Sequence, residues 1–348
     1  MANPLFIISS GRSGSTLLAS MLNMHPVFHV PVELIGLYSY LPWRLRFYGD
    51  LNKPFNRLLL ARDLRLVGQL REFGIDLDAE PLADRIGKGR KDFQGVVGAL
   101  YDELLKTSGK QRLVDKTPNN GRYAERIART WPESEIIHLV RDGRDVALSS
   151  MSSRRGINFR NTFELGCAWG GGNLRRAAFG MRNRHRYHRL RYEDLVSNPE
   201  AELQRLCNFL NVRYDGQMLD YADGDFARRN AARLDYHPNL VRKVMSDNVG
   251  KWRKAMPARH RRLYEALSGK ALVSFGYDLG PRERASGWWI LGFKLAVMTA
   301  VRAAARGIRS MRVHCRWLAL TGMKRRLKRT IVLSPETAAT ISRNSNDP

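Results

Sequence analysis

The stretch that decides the fold is FIISSGRSGSTLL, residues 6–18. The apolar segment from Leu5 to Ile8 predicts a short buried strand, and a glycine-rich turn follows it. The residues from Ser15 to Met24 predict a helix, which His25-Pro26 closes because proline cannot continue it. This order is typical of phosphate-binding loops, but the lysine that ends the loop of nucleoside triphosphatases is missing.

The turn offers hydrogen-bond donors to an anion. The amide N–H groups in the first turn of a helix have no helical partner, and the helix dipole favours negative charge there. Gly11 and Gly14 let the backbone approach a ligand closely, and Arg12 is the cation of the turn. From these residues alone, an ordinary strand-to-helix loop is an equally good interpretation. The candidate anion-binding residues are Gly11, Arg12, Ser13, Gly14, Ser15, Thr16 and Leu17.

The composition indicates a globular protein with an anionic partner. The 348 residues suffice for one large or two modest domains, and 43% of them are hydrophobic. With 59 Lys and Arg against 33 Asp and Glu, the net charge of +26 favours nucleic acid, an acidic membrane or a polyanionic small molecule. The three cysteines form no CxxC pair, which indicates a reduced, intracellular chain without a zinc site or a disulfide framework. Because Met1-Ala-Asn-Pro leads directly into the first strand, we expect no signal peptide or N-terminal anchor.

A second set of candidate residues follows another predicted strand. The stretch IIHLVRDGRDVALS, residues 136–149, predicts a buried strand that ends at Arg141 and a helix that carries Ser149. Open α/β sheets bind ligands beyond the carboxyl ends of their strands, and the arginine fork suits a phosphate monoester. Ser149, eight residues after Arg141, is placed to donate from the other side. The alternative is that Arg141 and Asp142 form a surface ion pair.

Short apolar strands alternate with helical patterns along the first 280 residues. This alternation predicts a P-loop NTPase-like α/β fold, in which helices flank a parallel sheet. Helical periodicity and many arginines over residues 35–112 predict a helical insertion. After Gly280 we expect a basic amphipathic helical extension over 281–330 and a polar tail over 331–348. The other predicted elements are strands at 112–115, 135–140 and 187–192 and helices at 54–70, 93–107, 144–152 and 199–210.

The loop at residues 11–18, with Arg141 and Ser149, resembles sulfotransferases that use 3′-phosphoadenosine 5′-phosphosulfate (PAPS), most closely the branch of bacterial and tyrosylprotein enzymes. The resemblance spans roughly residues 4–280. It implies transfer of a sulfuryl group from PAPS to a hydroxyl or amine without a metal, which explains the missing lysine. The further motifs that agree, in the expected order, are Asp115-Lys-Thr-Pro118, Leu190-Arg-Tyr-Glu-Asp-Leu195 with Pro199-Glu200, and Val249-Gly-Lys-Trp-Arg253.

The resemblance also implies roles for individual residues. Arg12 matches the cation that contacts the 5′-phosphosulfate, and Arg141 with Ser149 matches the clamp on the 3′-phosphate. Lys116 matches a lysine near the bridging oxygen, where charge grows on the leaving group. Glu33 matches the carboxylate that removes the proton of the acceptor. The remaining residues that match the nucleotide pocket are Tyr192, Lys251 and Trp252.

Several of these positions have a structural alternative. The alternative interpretation of Glu33 is a solvated acid in a loop, and that of Trp252 is a residue packed in the core. His25 is the rival base, although a His-Pro pair that closes a helix is typically structural. We expect His138 to be a buried core histidine. Glu193 and Asp194 are expected to form hydrogen bonds at a strand end rather than to catalyse.

Two features of the tyrosylprotein branch have no assigned counterpart in this chain. The serine that contacts the sulfate bridge would precede Lys251, and the stretch 234–240 offers no equivalent. A second contact to the 3′-phosphate falls on Arg154 or Arg155, and the spacing does not choose between them.

The C-terminal region predicts a peripheral membrane contact. Residues 287–301 are mostly apolar but include Lys294, and they fall short of the about 20 apolar residues that a membrane span needs. Paired tryptophans and a basic series that continues to Arg329 suit a helix at an anionic membrane surface over 287–329. The alternative is an amphipathic helix packed on the enzyme. We expect a cytoplasmic enzyme, peripheral at the inner face of the membrane, with a lipid or glycan among the candidate acceptors.

Two other functions compete with the sulfotransferase. A P-loop kinase is disfavoured because the lysine and an evident magnesium carboxylate are missing. A nucleic-acid-binding protein would need aromatic and basic residues interleaved or a known module, and the sequence has neither. We expect no specific nucleic-acid partner. The sequence leaves the acceptor and the oligomeric state open.

Overall fold

In a computed structural model, the described residues are 3–65, 70, 73, 75–106, 108–152, 159–233 and 246–280. The predicted C-terminal extension and its membrane contact over 287–329 lie outside the described residues, as do Arg154, Arg155 and the stretch 234–240. In the part of the chain that is described, no helix has the length and apolar character that crossing a membrane requires.

The predicted parallel sheet is confirmed. Within the described residues it has five strands in the order β2-β3-β1-β4-β5, and every neighbouring pair is parallel. The sequence predicts no strand at β2, because two residues carry no readable alternation of apolar and polar side chains. The strands are β1 (Leu5–Ser9), β2 (Phe28–His29), β3 (Arg112–Asp115), β4 (Ile136–Val140) and β5 (Tyr187–Arg191).

Helices connect the strands and cover both faces of the sheet. Four of the described helices, α2 to α5, lie between β2 and β3, where the sequence predicts a helical insertion. The helices are α1 (Ser15–Met24), α2 (Leu41–Arg44), α3 (Pro54–Leu64), α4 (Ala79–Lys88), α5 (Phe93–Lys106), α6 (Ala124–Thr130), α7 (Gly143–Ser152), α8 (Phe159–Arg182), α9 (Tyr192–Ser197), α10 (Pro199–Phe209), α11 (Asp225–Arg233), α12 (Trp252–Ala255) and α13 (Ala258–Ser274).

The side chains of β1 alternate between two cores because successive residues of a strand point to opposite faces. Phe6 and Ile8 are fully buried against the insertion helices, whereas Leu5 and Ile7 are fully buried on the face that packs on α1. Since both faces of the sheet are covered, β1 is apolar at nearly every position.

The order of the strands determines where a ligand site lies. From β1 the chain passes to β2 at one edge of the sheet, whereas from β4 it passes to β5 at the other edge. Ligands of open parallel sheets bind at such a reversal, beyond the carboxyl ends of the two strands. The register pairs Ser9 with Leu139, so the glycine turn after β1 and Arg141 after β4 leave the sheet side by side.

Candidate active site

The glycine turn positions α1 so that the start of this helix is open to an anion. Gly14 lies in the left-handed region at φ 87°, and Arg12 also has a positive φ of 67°. Among the described residues no side chain caps α1, and the first turn of this helix carries no acidic residue. The first-turn amide groups, which begin at Ser15, are therefore available to a negatively charged ligand.

Tyr192 closes one side of the turn. A Cβ atom at Gly14 would lie 2.4 Å from Cδ2 of Tyr192, so only glycine allows this ring to approach. On the other side, the guanidinium carbon of Arg141 lies 4.5 Å from the centre of the same ring. Burial raises the pKa of Tyr192, which keeps its phenol protonated at neutral pH.

Arg141 joins the turn to a distant loop. Its Nη1 donates to the carbonyl of Arg12 at 3.2 Å, and its Nη2 donates to the carbonyl of Asn248 at 2.5 Å. The Nε of Arg12 in turn donates to Oγ of Ser149 at 3.0 Å. Arg12, Arg141 and Ser149, which the sequence proposes as two separate contacts, thus form one cationic group beyond β1 and β4.

Lys116 and Glu33 form a close pair beside α1. Nζ of Lys116 lies 2.9 Å from Oε1 of Glu33 and 3.4 Å from Oγ1 of Thr16. Lys116 is 3% exposed, and the Glu33 side chain is 25% exposed, so the carboxylate is the partner that solvent or an acceptor reaches. The hydroxyl of Thr117 accepts from the amide of Leu34 at 3.0 Å, which fixes the two loops to each other.

A buried chain of hydrogen bonds supports this pair from behind. Asp115 accepts from the hydroxyl of Tyr101 at 2.6 Å and from the side-chain amide Nδ2 of Asn120 at 3.1 Å. The hydroxyl of Tyr38, which accepts from Nε1 of Trp131 at 2.7 Å, lies 3.3 Å from that of Tyr101. Burial raises the pKa of Asp115 to about 6, and the nearby charge of Glu33 adds to the rise. The sequence gives no signal that would associate these aromatic residues with the site.

Asp145 holds the segment that carries Lys251. Its carboxylate accepts from the amide of Gly250 at 2.7 Å and from the amide of Trp252 at 2.8 Å. The exposed Lys251 donates to Oδ1 of Asn248 at 2.7 Å, close to the carbonyl that Arg141 binds. Sequence reasoning missed Asp145, because a carboxylate in the first turn of a helix is typical of helix starts in general.

The Trp252 side chain lies in the core. It is 3% exposed, and the guanidinium of Arg144 stacks on it with 3.6 Å between the guanidinium carbon and the centre of the ring. Arg144 is held by carboxylates of Asp142 at 2.8 Å and Glu265 at 2.7 Å. The structure places Trp252 under the segment that carries Lys251, which agrees with the core-packing alternative.

The rival groups make contacts of a structural kind. Nδ1 of His25 accepts from the amide of Val27 at 3.1 Å, and its Nε2 lies 2.9 Å from the carbonyl of Arg213. His138 is fully buried, and burial lowers its pKa to about 3. Glu193 accepts from the amide of Asp142 and from the hydroxyl of Tyr277, both at 2.9 Å.

Comparison with known proteins gives a consistent result. Residues 4–216, more than half of the chain, match the family model described as "Sulfotransferase family". A "Putative protein-tyrosine sulfotransferase" of Caenorhabditis briggsae is 26% identical over 224 residues, which cover 62% of this chain and 68% of the relative. The "Nodulation protein NoeE" of Sinorhizobium fredii (strain NBRC 101917 / NGR234) is 25% identical over 296 residues, which cover 78% of this chain and 65% of the relative. The chain spans about two thirds of the length of these two curated relatives.

A solved structure shares the fold over most of its length. The "Sulfotransferase Domain from the Synechococcus PCC 7002 Olefin Synthase" superposes with a TM-score of 0.56 at 25% identity, over 80% of this chain and 98% of that chain. The family match assigns no role to individual residues, so all of the predicted site residues stay predictions, including Lys251 and Trp252, which lie beyond the matched range.

Proposed function

The chain belongs to the sulfotransferase family and is therefore a transferase of sulfuryl groups, and we propose that it holds PAPS between the glycine turn and Arg141. The observation that carries this proposal is a pair of hydrogen bonds at the reversal of the strand order. Arg12 donates to Ser149, and Arg141 donates to the carbonyl of Arg12. Two anionic groups, a 5′-phosphosulfate at the turn and a 3′-phosphate at Ser149, would each find cationic and hydroxyl donors there.

We assign the chemistry to Glu33 and Lys116. Glu33 takes the proton of the acceptor hydroxyl as its oxygen attacks sulfur, and the bond between sulfur and the bridging oxygen breaks. Charge then develops on the phosphate that leaves, where the buried ammonium of Lys116 and the amides of α1 stabilise it. The 2.9 Å separation of the two groups supports this division of labour, since it places the base for the acceptor and the cation for the leaving group side by side.

The donor is tested by calorimetry with three nucleotides. We expect adenosine 3′,5′-bisphosphate to bind at least about tenfold more tightly than adenosine 5′-monophosphate, because the 3′-phosphate adds charge-assisted hydrogen bonds worth about 1.5–3 kcal/mol. ATP is expected to bind more weakly than the bisphosphate. Tight ATP binding, or equal affinity for the two adenosine phosphates, would contradict the assignment of Arg141 and Ser149 and favour a kinase.

For the acceptor we propose a molecule that bears a hydroxyl or amine and approaches from the side of the helical insertion. The support is that Glu33, whose side chain is 25% exposed, stands at the start of the segment that leads into α2 and the insertion. A screen of phenols, simple alcohols and sugars with labelled PAPS would identify the chemical class of the acceptor. If substitutions in the helical insertion leave the rate of transfer unchanged, this placement of the acceptor is contradicted.

We further propose that the basic segment 287–329 holds the enzyme at an anionic membrane surface on the cytoplasmic side. The support is compositional, namely paired tryptophans followed by clustered arginines and lysines. The test compares the full chain with a variant that lacks residues 282–348 in sedimentation with anionic vesicles. If the shortened chain sediments equally, the segment is not the anchor.

A further inference from the structure

Arg176 on α8 is a buried cation that has no carboxylate partner among the described residues. The residue is 7% exposed, its Nη1 donates to Oδ1 of Asn173 at 2.9 Å, and its Nε has no partner among the described residues. The same Oδ1 atom also accepts from Nε2 of His138 at 3.0 Å. One shared amide oxygen is thus the only hydrogen-bond acceptor of this guanidinium within the described part of the chain.

Other buried arginines of the protein are satisfied differently. Arg144 is paired with two carboxylates, and Arg186 donates to backbone carbonyls such as that of Trp131 at 3.0 Å. Removing a cation from water is unfavourable unless an anion or several acceptors replace the water. Arg176 has neither among the described residues, so its surroundings fit an anion supplied from outside the chain.

Further positive charge lies near Arg176. Burial and the nearby charges of Arg175 and Arg122 lower the pKa of Arg176 to about 10. Both neighbours are exposed, and in the described part of the chain neither forms an ion pair within 4.0 Å. Glu125, the acidic residue of α6, is paired with Arg182 instead. The charges of Arg175 and Arg122 therefore add to that of Arg176, and no carboxylate of the described residues lies within 4.0 Å of any of the three.

Two glycines make room for the guanidinium. A Cβ atom at Gly121 would lie 2.2 Å from Nε of Arg176, and one at Gly172 would lie 3.3 Å from its Nη1. Gly121 belongs to the segment that follows Lys116, and Asn173 reaches Oγ of Ser10 at 3.4 Å. The Asn173 side chain thus links the guanidinium of Arg176 to Ser10, the residue that precedes the glycine turn.

We propose that Arg176, assisted by Arg175 and Arg122, binds an oxyanion of the sulfate or phosphate type at a site distinct from the nucleotide site. A planar guanidinium with free N–H groups suits two oxygens of such an anion. The anion is either a group on the acceptor or a free ion, since both present the same chemistry to the arginines. The site does not depend on PAPS being the donor.

The test is a calorimetric titration of inorganic phosphate and of phenyl phosphate into the full chain, with and without saturating adenosine 3′,5′-bisphosphate. We expect a phosphate site that survives saturation with the nucleotide. Arg176→Gln should weaken it about 10- to 100-fold, the range that one or two charge-assisted hydrogen bonds provide, while binding of the bisphosphate stays unchanged. Preference for phenyl phosphate identifies a group on the acceptor, and preference for inorganic phosphate identifies a free ion.

Variants at the exposed neighbours keep the test decisive if Arg176→Gln fails to fold. Arg175→Gln and Arg122→Gln should each weaken phosphate about 2- to 5-fold through the loss of nearby charge. Arg62→Gln, at an exposed arginine of α3, is the matched control and should change nothing. Absence of phosphate binding in the nucleotide-saturated protein, or equal affinity in the wild type and all three arginine variants, would overturn the proposal. Loss of bisphosphate binding with phosphate binding retained would instead contradict the proposed function.

Discussion

Two glycines of the same turn differ in a way that allows a matched test. Gly14 has φ +87°, a conformation that side chains rarely adopt, and an added Cβ would lie 2.4 Å from the ring of Tyr192. Gly11 has no such φ, and an added Cβ there would meet no atom of the described residues within 4 Å. We therefore predict that Gly14→Ala destabilises the protein strongly and that Gly11→Ala does not.

The magnitude follows from two contributions. Holding alanine in the left-handed region costs about 1 kcal/mol relative to glycine. Displacing the buried Tyr192 ring costs a further ~1–3 kcal/mol, the usual range for overpacking in a core. Gly14→Ala should therefore lower the free energy of unfolding by about 2–4 kcal/mol, whereas Gly11→Ala should change it by less than about 0.5 kcal/mol.

The assay is urea unfolding of both variants and the wild type, followed by tryptophan fluorescence. Nucleotide binding is measured in parallel, since Gly14→Ala also moves Tyr192 away from Arg141. Equal midpoints for the two variants would refute the reasoning, because it attributes the difference to the geometry at Gly14 alone. A stable Gly14→Ala protein with normal bisphosphate affinity would refute it as well.

Three further predictions concern the charged groups of the site. Arg141→Lys should weaken the binding of adenosine 3′,5′-bisphosphate about 10- to 100-fold and that of the 5′-monophosphate much less. The reason is that lysine cannot bind both carbonyls and a phosphate at once. Calorimetry with both nucleotides checks this prediction. Glu33→Gln should lower transfer to a phenol acceptor at least about 100-fold and leave bisphosphate affinity within about twofold; an unchanged rate would remove Glu33 as the base. Asp115 has a pKa of about 6 against 3.8 when unperturbed, so the folded state binds its proton more tightly than the unfolded state. Between pH 7 and pH 4 the wild type should therefore gain about 2.4 kcal/mol of stability relative to Asp115→Asn. Urea unfolding at several pH values measures this gain, and a constant difference would contradict the raised pKa.

Helix α8 shows why local sequence can mislead. The sequence predicts no helix over 159–182, and three consecutive glycines at 170–172 argue against one. In the structure α8 packs along α13, and a Cβ at Gly170 would lie 3.1 Å from that of Ser268. Gly170, with Gly166 one turn earlier, allows the two helices to approach closely, and the packing that results compensates for the low helix propensity of glycine. This gain appears only once the partner helix is known.

The sequence by itself determined the elements whose interactions are local. The strand, turn and helix at residues 5–24 follow from apolar periodicity, from two glycines and from His25-Pro26, all within one short stretch. Arg141 was located in the same way, because it directly follows a short apolar strand, whereas Lys116 was found through the resemblance of Asp115-Lys-Thr-Pro118 to the sulfotransferase motif. These features depend on hydrogen bonds and side-chain directions that neighbouring residues fix among themselves.

Only the tertiary structure decided how these pieces meet. The contacts of Arg12 with Ser149, of Arg141 with Asn248 and of Asp145 with the amides of Gly250 and Trp252 each join residues more than 100 positions apart. Such contacts depend on the strand order and on helix packing, which local periodicity does not encode. For the same physical reason, the contact of Gly121 with the buried guanidinium of Arg176, which brings the charge of Arg122 near it, is visible only in the folded chain.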